Sequence, residues 1–255
     1  MTICPPFKAI FHLLWISVCA WALLLQTRLM FHLSTTPDWL DGFVFGSTVF
    51  GYHFAHGQRG YRMVAWVLGA LAGGCFFWLD RTTQLLALGP VLLWCAYYGL
   101  QRPDRLGLRR SPVAKPMVIA LTWAWVTVWL PTEQFLWPFF FARAAFVFAL
   151  ALAYDLADLT DDQQRNFKTL VGQVGQKRAY WFIYIALSLA ALCIGFGVFQ
   201  QNISFAVAVA IWTTYGWTVV LLRRILESHL AIVWQKIMVD GSMVLQALAV
   251  WLAVH

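Results

Sequence analysis

Four of the chain's 11 acidic residues fall within eight positions of the stretch YDLADLTDDQQRNFKTL, residues 154–170: Asp155, Asp158, Asp161 and Asp162. They follow directly on the apolar run FFFARAAFVFALALA. Carboxylates this close repel one another unless a cation stands between them. A hard cation that prefers oxygen relieves the crowding. Magnesium in particular is held by one or two carboxylates together with the oxygens of a phosphorylated substrate. With the apolar helix prolonged by two or three turns, Asp155, Asp158, Asp162 and Arg165 share an arc of about 80°. Asp161 then sits at its margin, and Arg165 and Lys168 are placed to meet phosphate charge. The same spacing also suits a solvated acidic cap balanced by Arg165, Lys168, Lys177 and Arg178. Spacing alone leaves both readings open.

The elements that must position these residues follow from the composition. The chain has 255 residues, 61% hydrophobic and 11% charged, where a soluble domain carries about 25% charged residues. Its apolar residues come in runs close to the roughly 20 needed to cross a hydrocarbon core, without the alternation of a membrane barrel. The pattern predicts an all-α integral membrane domain of about nine transmembrane helices. The expected spans are Ile10–Leu25, Trp39–Phe54, Met63–Leu79, Leu85–Leu100, Met117–Leu130, Leu136–Tyr154, Ala179–Phe199, Ile203–Leu222 and Ile237–Val254. No linker or repeat divides the chain, so residues 1–255 are expected to form a single multi-pass domain. With nine spans, fifteen of the 18 Lys and Arg residues collect on the side of the amino terminus, against Arg28 and Arg81 on the other. The positive-inside rule then places the amino terminus in the cytoplasm, and the expected location is a cell membrane, bacterial and inner. The net charge of +7 accordingly reports topology and contact with anionic lipid. No basic stretch has the size or fold of a nucleic-acid module. A cleaved leader ending near CAWA would reverse the charge bias and is disfavoured. The five cysteines are scattered, mostly in spans, and suit packing better than disulfides or a metal cluster.

Most of the polar chemistry falls in two loops on the basic side, YYGLQRPDRLGLRRSPVAK and YDLADLTDDQQRNFKTLVGQVGQKR. The second resembles the second aspartate motif of the UbiA superfamily of intramembrane prenyltransferases. Asp155, Asp158, Asp162, Lys168, Thr169, Leu170 and Gly175 take the motif's positions in register, after the sixth of nine helices as in that family. The first loop is similar to the family's loop between helices four and five, with a tyrosine, basic residues and a lysine. The resemblance implies a UbiA-like bundle. It also implies transfer of a prenyl group from its diphosphate to a lipophilic, often aromatic, acceptor at a site facing the cytoplasm. On that footing Asp155, Asp158 and Asp162 are expected to hold Mg2+, and Arg165, Lys168 and Lys115 to touch the diphosphate. Tyr97 and Tyr98 are expected to flank the substrate cavity.

The family's first aspartate motif should close the second span. The corresponding stretch, FGSTVFGYHFAHGQRGYR at residues 45–62, contains no acid. His53 and His56 fall near the expected aspartates, with Arg59 and Arg62 after them. Neutral imidazole is a poor magnesium ligand, which leaves three readings. The histidines and arginines contact the diphosphate directly; or the site works with one magnesium ion and a different substrate; or the protein keeps the fold without transferase chemistry, binding an isoprenoid or lipid or serving as an assembly partner. The histidines also suit an interfacial role at the end of a span. Finally, Arg143 lies eleven residues before Tyr154, roughly 16 Å deeper on a straight helix. Intramembrane charge is usually paired, and Asp240 is the expected partner.

Overall fold

The computed structural model describes residues 5–56, 62–99, 111–159, 169–226 and 232–255. Of 5–9, 54–56, 98–99 and 225–226 it describes the backbone alone. Every regular element among the described residues is helical, as backbone in lipid requires when no barrel closes. In order they are α1 (Pro5–Met30), α2 (Trp39–His56), α3 (Arg62–Phe77) and α4 (Arg81–Gly99). Next comes α5 (Ala114–Ala124), which runs unbroken into a π-helical turn (Trp125–Trp129) and a last α turn (Leu130–Thr132). The chain closes with α6 (Trp137–Ala157), the short α7 (Leu170–Val174), α8 (Gln176–Phe199), α9 (Phe205–Leu226) and α10 (Ile232–Val254). Setting α7 aside, nine helical rods are described.

Five of them, Ile10–Met30, Trp137–Ala157, Gln176–Phe199, Phe205–Arg224 and Ile232–Val254, are long and apolar enough to cross a membrane. The apolar α3 has only 16 residues. The rods outrun the expected spans at polar ends. The ninth begins at Ile232 rather than Ile237, which brings Lys236 onto the helix.

Short polar side chains start three of the rods. Asp38 Oδ1 accepts the amides of Leu40 (2.9 Å) and Asp41 (3.3 Å) at the head of α2. Asp80 Oδ1 accepts those of Thr82 (2.8 Å) and Thr83 (3.0 Å) at the head of α4. Ser204 Oγ accepts that of Val207 (3.3 Å) at the head of α9. Each satisfies donors that a helix start leaves open. Further contacts tie the α2 and α4 caps to neighbouring helix ends. Thr83 Oγ1 hydrogen-bonds both Asp80 and Glu133, joining the α3–α4 turn to the end of the π-containing rod. Nearby in sequence, Arg28 of α1 donates to Asp38 (2.7 and 2.8 Å) and Asp41 (2.9 Å) across the α1–α2 loop.

The sixth rod is the hub. Of its span 72% is buried inside the protein, against 39–56% for the other four, and Phe146, Leu150 and Leu152 are fully enclosed. It packs on α5, α8 and α10, while α1 packs on α2 and α10, and α10 on α9. The α2–α3 pair is close because it is built on small residues. A Cβ on Gly46 would lie 2.5 Å from the Leu68 carbonyl oxygen and 2.9 Å from Ala72 Cβ, the small-residue packing usual between membrane helices. Large apolar side chains such as Leu192, Phe199 and Leu252 point outward, as they do on a surface facing lipid.

Candidate functional site

At the other end of the bundle α6 and α10 meet in two rungs, one helical turn apart. In the outer rung Lys236 Nζ donates to Asp158 Oδ2 at 2.7 Å. In the inner rung the Tyr154 hydroxyl donates to Asp240 Oδ2. Both helices supply residues four apart, 154 and 158 on one, 236 and 240 on the other, so their side chains stack on one face. Lys236 Nζ also stands 5.7 Å from the centre of the Tyr154 ring, within cation–π range. The first helix closes the inner rung. His12 Nε2 lies 3.4 Å from Tyr154 Oη and 3.7 Å from Asp240 Oδ2. Trp15 Nε1 donates to the Ile237 carbonyl at 3.0 Å and Cys19 Sγ to the Asp240 carbonyl at 3.4 Å.

Beside the outer rung, Lys115 at the start of α5 donates to Asp155 Oδ1 at 2.6 Å. Asp155 is 3% exposed, and its buried Oδ2 has no hydrogen-bond partner among the described residues. Asp155 and Asp158 thus stand side by side at the end of α6, each held by a lysine from a different helix. The unbroken helix ends at Ala157. Asp158 is its cap, with φ −89° and ψ 0°, and its amide donates to the Tyr154 carbonyl at 3.0 Å. The expected continuous stripe from Asp155 to Arg165 is therefore interrupted at Asp158. Asp161, Asp162, Arg165 and Lys168 lie outside the described residues.

Thr169 and Gly175, which follow in the same motif, have geometric tasks. Thr169 Oγ1 accepts the Gly172 amide at 3.1 Å and caps α7. Gly175 turns the chain into α8 at φ +83° and ψ 155°, a conformation essentially confined to glycine. His53 and Tyr97 are buried in α2 and α4. His56 and Tyr98 lie on the last turns of those helices, among the residues described by backbone alone. Arg59 lies outside the described residues.

The expected Arg143–Asp240 pair does not form. Arg143 donates instead to Gln26 Oε1 at 2.9 Å and Thr27 Oγ1 at 3.4 Å, beside a void of about 10 Å3, the margin for one water. The reason is depth. Asp240 stands level with Tyr154, and eleven helical residues separate Tyr154 from Arg143, roughly 16 Å. Both residues are in the membrane interior by sequence, but toward opposite ends.

Sequence reasoning missed Lys236, Tyr154 and His12 as members of the site. The matched four-residue spacings of Tyr154/Asp158 and Lys236/Asp240 were the available signal.

The donor set can be set against a magnesium ion, which takes one or two protein carboxylates and completes its shell with substrate oxygens and water. Asp155 offers a buried oxygen that no donor among the described residues satisfies, and Asp158 a neighbouring carboxylate, so the pair fits one such ion. No group of three or more His, Cys, Asp or Glu converges among the described residues.

Residues 57–238 match the family described as the UbiA prenyltransferase family. No curated protein matches the chain. A solved structure from work on digeranylgeranylglyceryl phosphate synthase in membranes superposes with a TM-score of 0.61, covering 97% of this chain and 98% of that one at 11% identity. At that identity the likeness speaks to the fold.

Proposed function

Because the chain belongs to the UbiA prenyltransferase family, we propose that it moves a prenyl group from a prenyl diphosphate to a lipophilic acceptor, with its site open to the cytoplasm. The observation that carries this reading is the pairing at the end of α6: two adjacent carboxylates, one with a buried oxygen unsatisfied among the described residues, each facing a lysine from another helix. That arrangement has the parts a diphosphate leaving group needs. Asp155 and Asp158 would hold magnesium, with Asp162 joining them on the strength of the resemblance. When bound, magnesium supplies positive charge where the departing diphosphate develops negative charge. Lys115 and Lys236, which pair with the carboxylates here, would turn to the diphosphate oxygens as charge-assisted donors, with Arg165 and Lys168 expected beside them. Fixed cations aimed at the leaving group stabilise the transition state more than the ground state. The bond between the allylic carbon and the diphosphate oxygen breaks, the electron pair leaves with diphosphate, and the carbon bonds to the acceptor, which gives up a proton. His53 and His56 remain the proposed substitutes for the absent first aspartate motif, and Tyr97 and Tyr98 the proposed cavity walls.

A second reading has its own support. Residues 45–62 contain no acid, and Lys115 and Lys236 already neutralise Asp155 and Asp158. A relative that binds an isoprenoid or lipid without transferring it fits those facts. The two readings part in an assay of diphosphate release from an allylic prenyl diphosphate, with magnesium and a membrane-lipid extract as the source of acceptor. The transferase reading expects release by the wild type and a loss of at least about a hundredfold, the scale of a lost electrostatic contact, in Asp155→Asn and Asp158→Asn. Their helical content should stay unchanged. No release by the wild type would favour the non-catalytic reading.

A further inference from the structure

Arg143 lies in the membrane interior on α6 and is 6% exposed. A guanidinium keeps its charge in proteins and carries more N–H groups than two acceptors satisfy. Its acceptors here are neutral: Gln26 Oε1 at 2.9 Å and Thr27 Oγ1 at 3.4 Å, both from α1. No ion pair joins Arg143 to an acid among the described residues. Asp38 and Asp41, beyond the end of α1, are committed to Arg28. Asp155, the one acid of α6, is about 18 Å away along the helix. Asp240, the one acid of α10, takes the Tyr154 hydroxyl. Helices α1, α8 and α9 contain neither Asp nor Glu. The guanidinium lines the void of about 10 Å3, whose other polar walls are Gln26 and Thr27 of α1, Tyr215 of α9 and Gln246 of α10. Its remaining walls are apolar.

We propose that this void is a binding site for a single halide ion, chloride in the cell, held by the Arg143 guanidinium with the Tyr215 hydroxyl and the Gln246 amide as further donors. Both of those neutral groups can donate, and a charge buried in a membrane protein is ordinarily paired. Water gives Arg143 an acceptor but no charge. The size of the void, about one water-sized sphere, sets the class of anion. A single-atom ion enters with slight relaxation, whereas phosphate, sulfate or a carboxylate does not fit. The polar walls come from α1, α6, α9 and α10, so the ion ties the most buried helix to three neighbours. The site lies roughly 16 Å from Tyr154 along α6. It is separate from Asp155 and Asp158 and stands whether or not the chain transfers prenyl groups.

The test is thermal unfolding of the detergent-purified chain as sodium chloride replaces sodium gluconate at constant ionic strength. The melting temperature should rise with chloride and level off, as binding to the folded state alone requires. Bromide should substitute for chloride, and sulfate should not. Arg143→Gln should lose the chloride response, whereas Arg178→Gln, at an exposed position on α8, should keep it. A wild type indifferent to chloride would overturn the site and leave water as the occupant. An equal response in Arg143→Gln would place the effect on the surface and overturn it as well. If Arg143→Gln fails to fold, crystals of the wild type grown in bromide decide the matter. An anomalous peak between Arg143, Tyr215 and Gln246 is expected, and its absence there would overturn the site.

Discussion

Tyr154 shows how much a buried acid can depend on a single hydroxyl. Asp240 is fully buried, its Oδ1 has no hydrogen-bond partner among the described residues, and its Oδ2 accepts from Tyr154, with His12 3.7 Å away. Tyr154→Phe should destabilise the protein by about 1–3 kcal/mol, the cost of stranding a buried acceptor. Tyr154→Phe/Asp240→Leu should recover most of that loss, because replacing both partners with apolar groups removes the unmet demand. Equilibrium unfolding in mixed micelles measures both. At the other end, Asp38 is pushed up by partial burial but held below the usual carboxylate range overall by hydrogen bonds from Arg28 and Asp41 and by the Arg28 charge. A depressed folded pKa means that its contribution is complete above the unfolded value, about 3.9, and is lost as pH falls through the folded value. Acid unfolding below about pH 4 should therefore be shallower in Asp38→Asn than in the wild type, by a small margin because half the side chain is exposed. At this scale Asp155 and Asp158 were legible, because their crowding in an acid-poor chain is a one-dimensional signal. Lys236, His12 and the Tyr154–Asp240 bond were not, because three helices far apart in sequence supply them.

The elements were legible where hydropathy runs and obscure where helices outlast it. Lys236 and Gln235 are polar, so the ninth span is expected to start at Ile237, yet α10 begins at Ile232. Those extra turns put Lys236 one turn from Asp240 and complete the two rungs. At α6 the difference is a break: the helix is interrupted at Asp158 (φ −89°, ψ 0°), where the expected stripe needs it continuous, and Leu159 is helical again. Gly175 is a case in which the motif and the fold agree. A Cβ there would meet nothing within 4 Å, so Gly175→Ala isolates the backbone cost of φ +83°. The expected loss is about 1–3 kcal/mol, read as a lower unfolding midpoint. A neutral result would show that the α7–α8 turn can relax.

Taken whole, the molecule is a helical bundle with two chemically different ends. One is closed by short caps and the Arg28 clasp. The other brings Asp155, Asp158, Lys115 and Lys236 together around the most buried helix. The proposed function assigns the diphosphate to that second end, and the stretch at residues 45–62 contains no acid to assist it. The fold class follows from apolar runs of membrane length and an uneven distribution of Lys and Arg. The depth that separates Arg143 from Asp240 was legible in the expected spans, which put Arg143 eleven residues before the end of the sixth and Asp240 three residues into the ninth. As proposed, the carboxylate pair is a working diphosphate platform. Thermal stabilisation of the purified protein with farnesyl or geranylgeranyl diphosphate, with and without magnesium, in the wild type and Asp158→Asn is the decisive measurement. A working platform gives stabilisation that needs both the metal and Asp158. Stabilisation that ignores both, or none with either diphosphate, would contradict it.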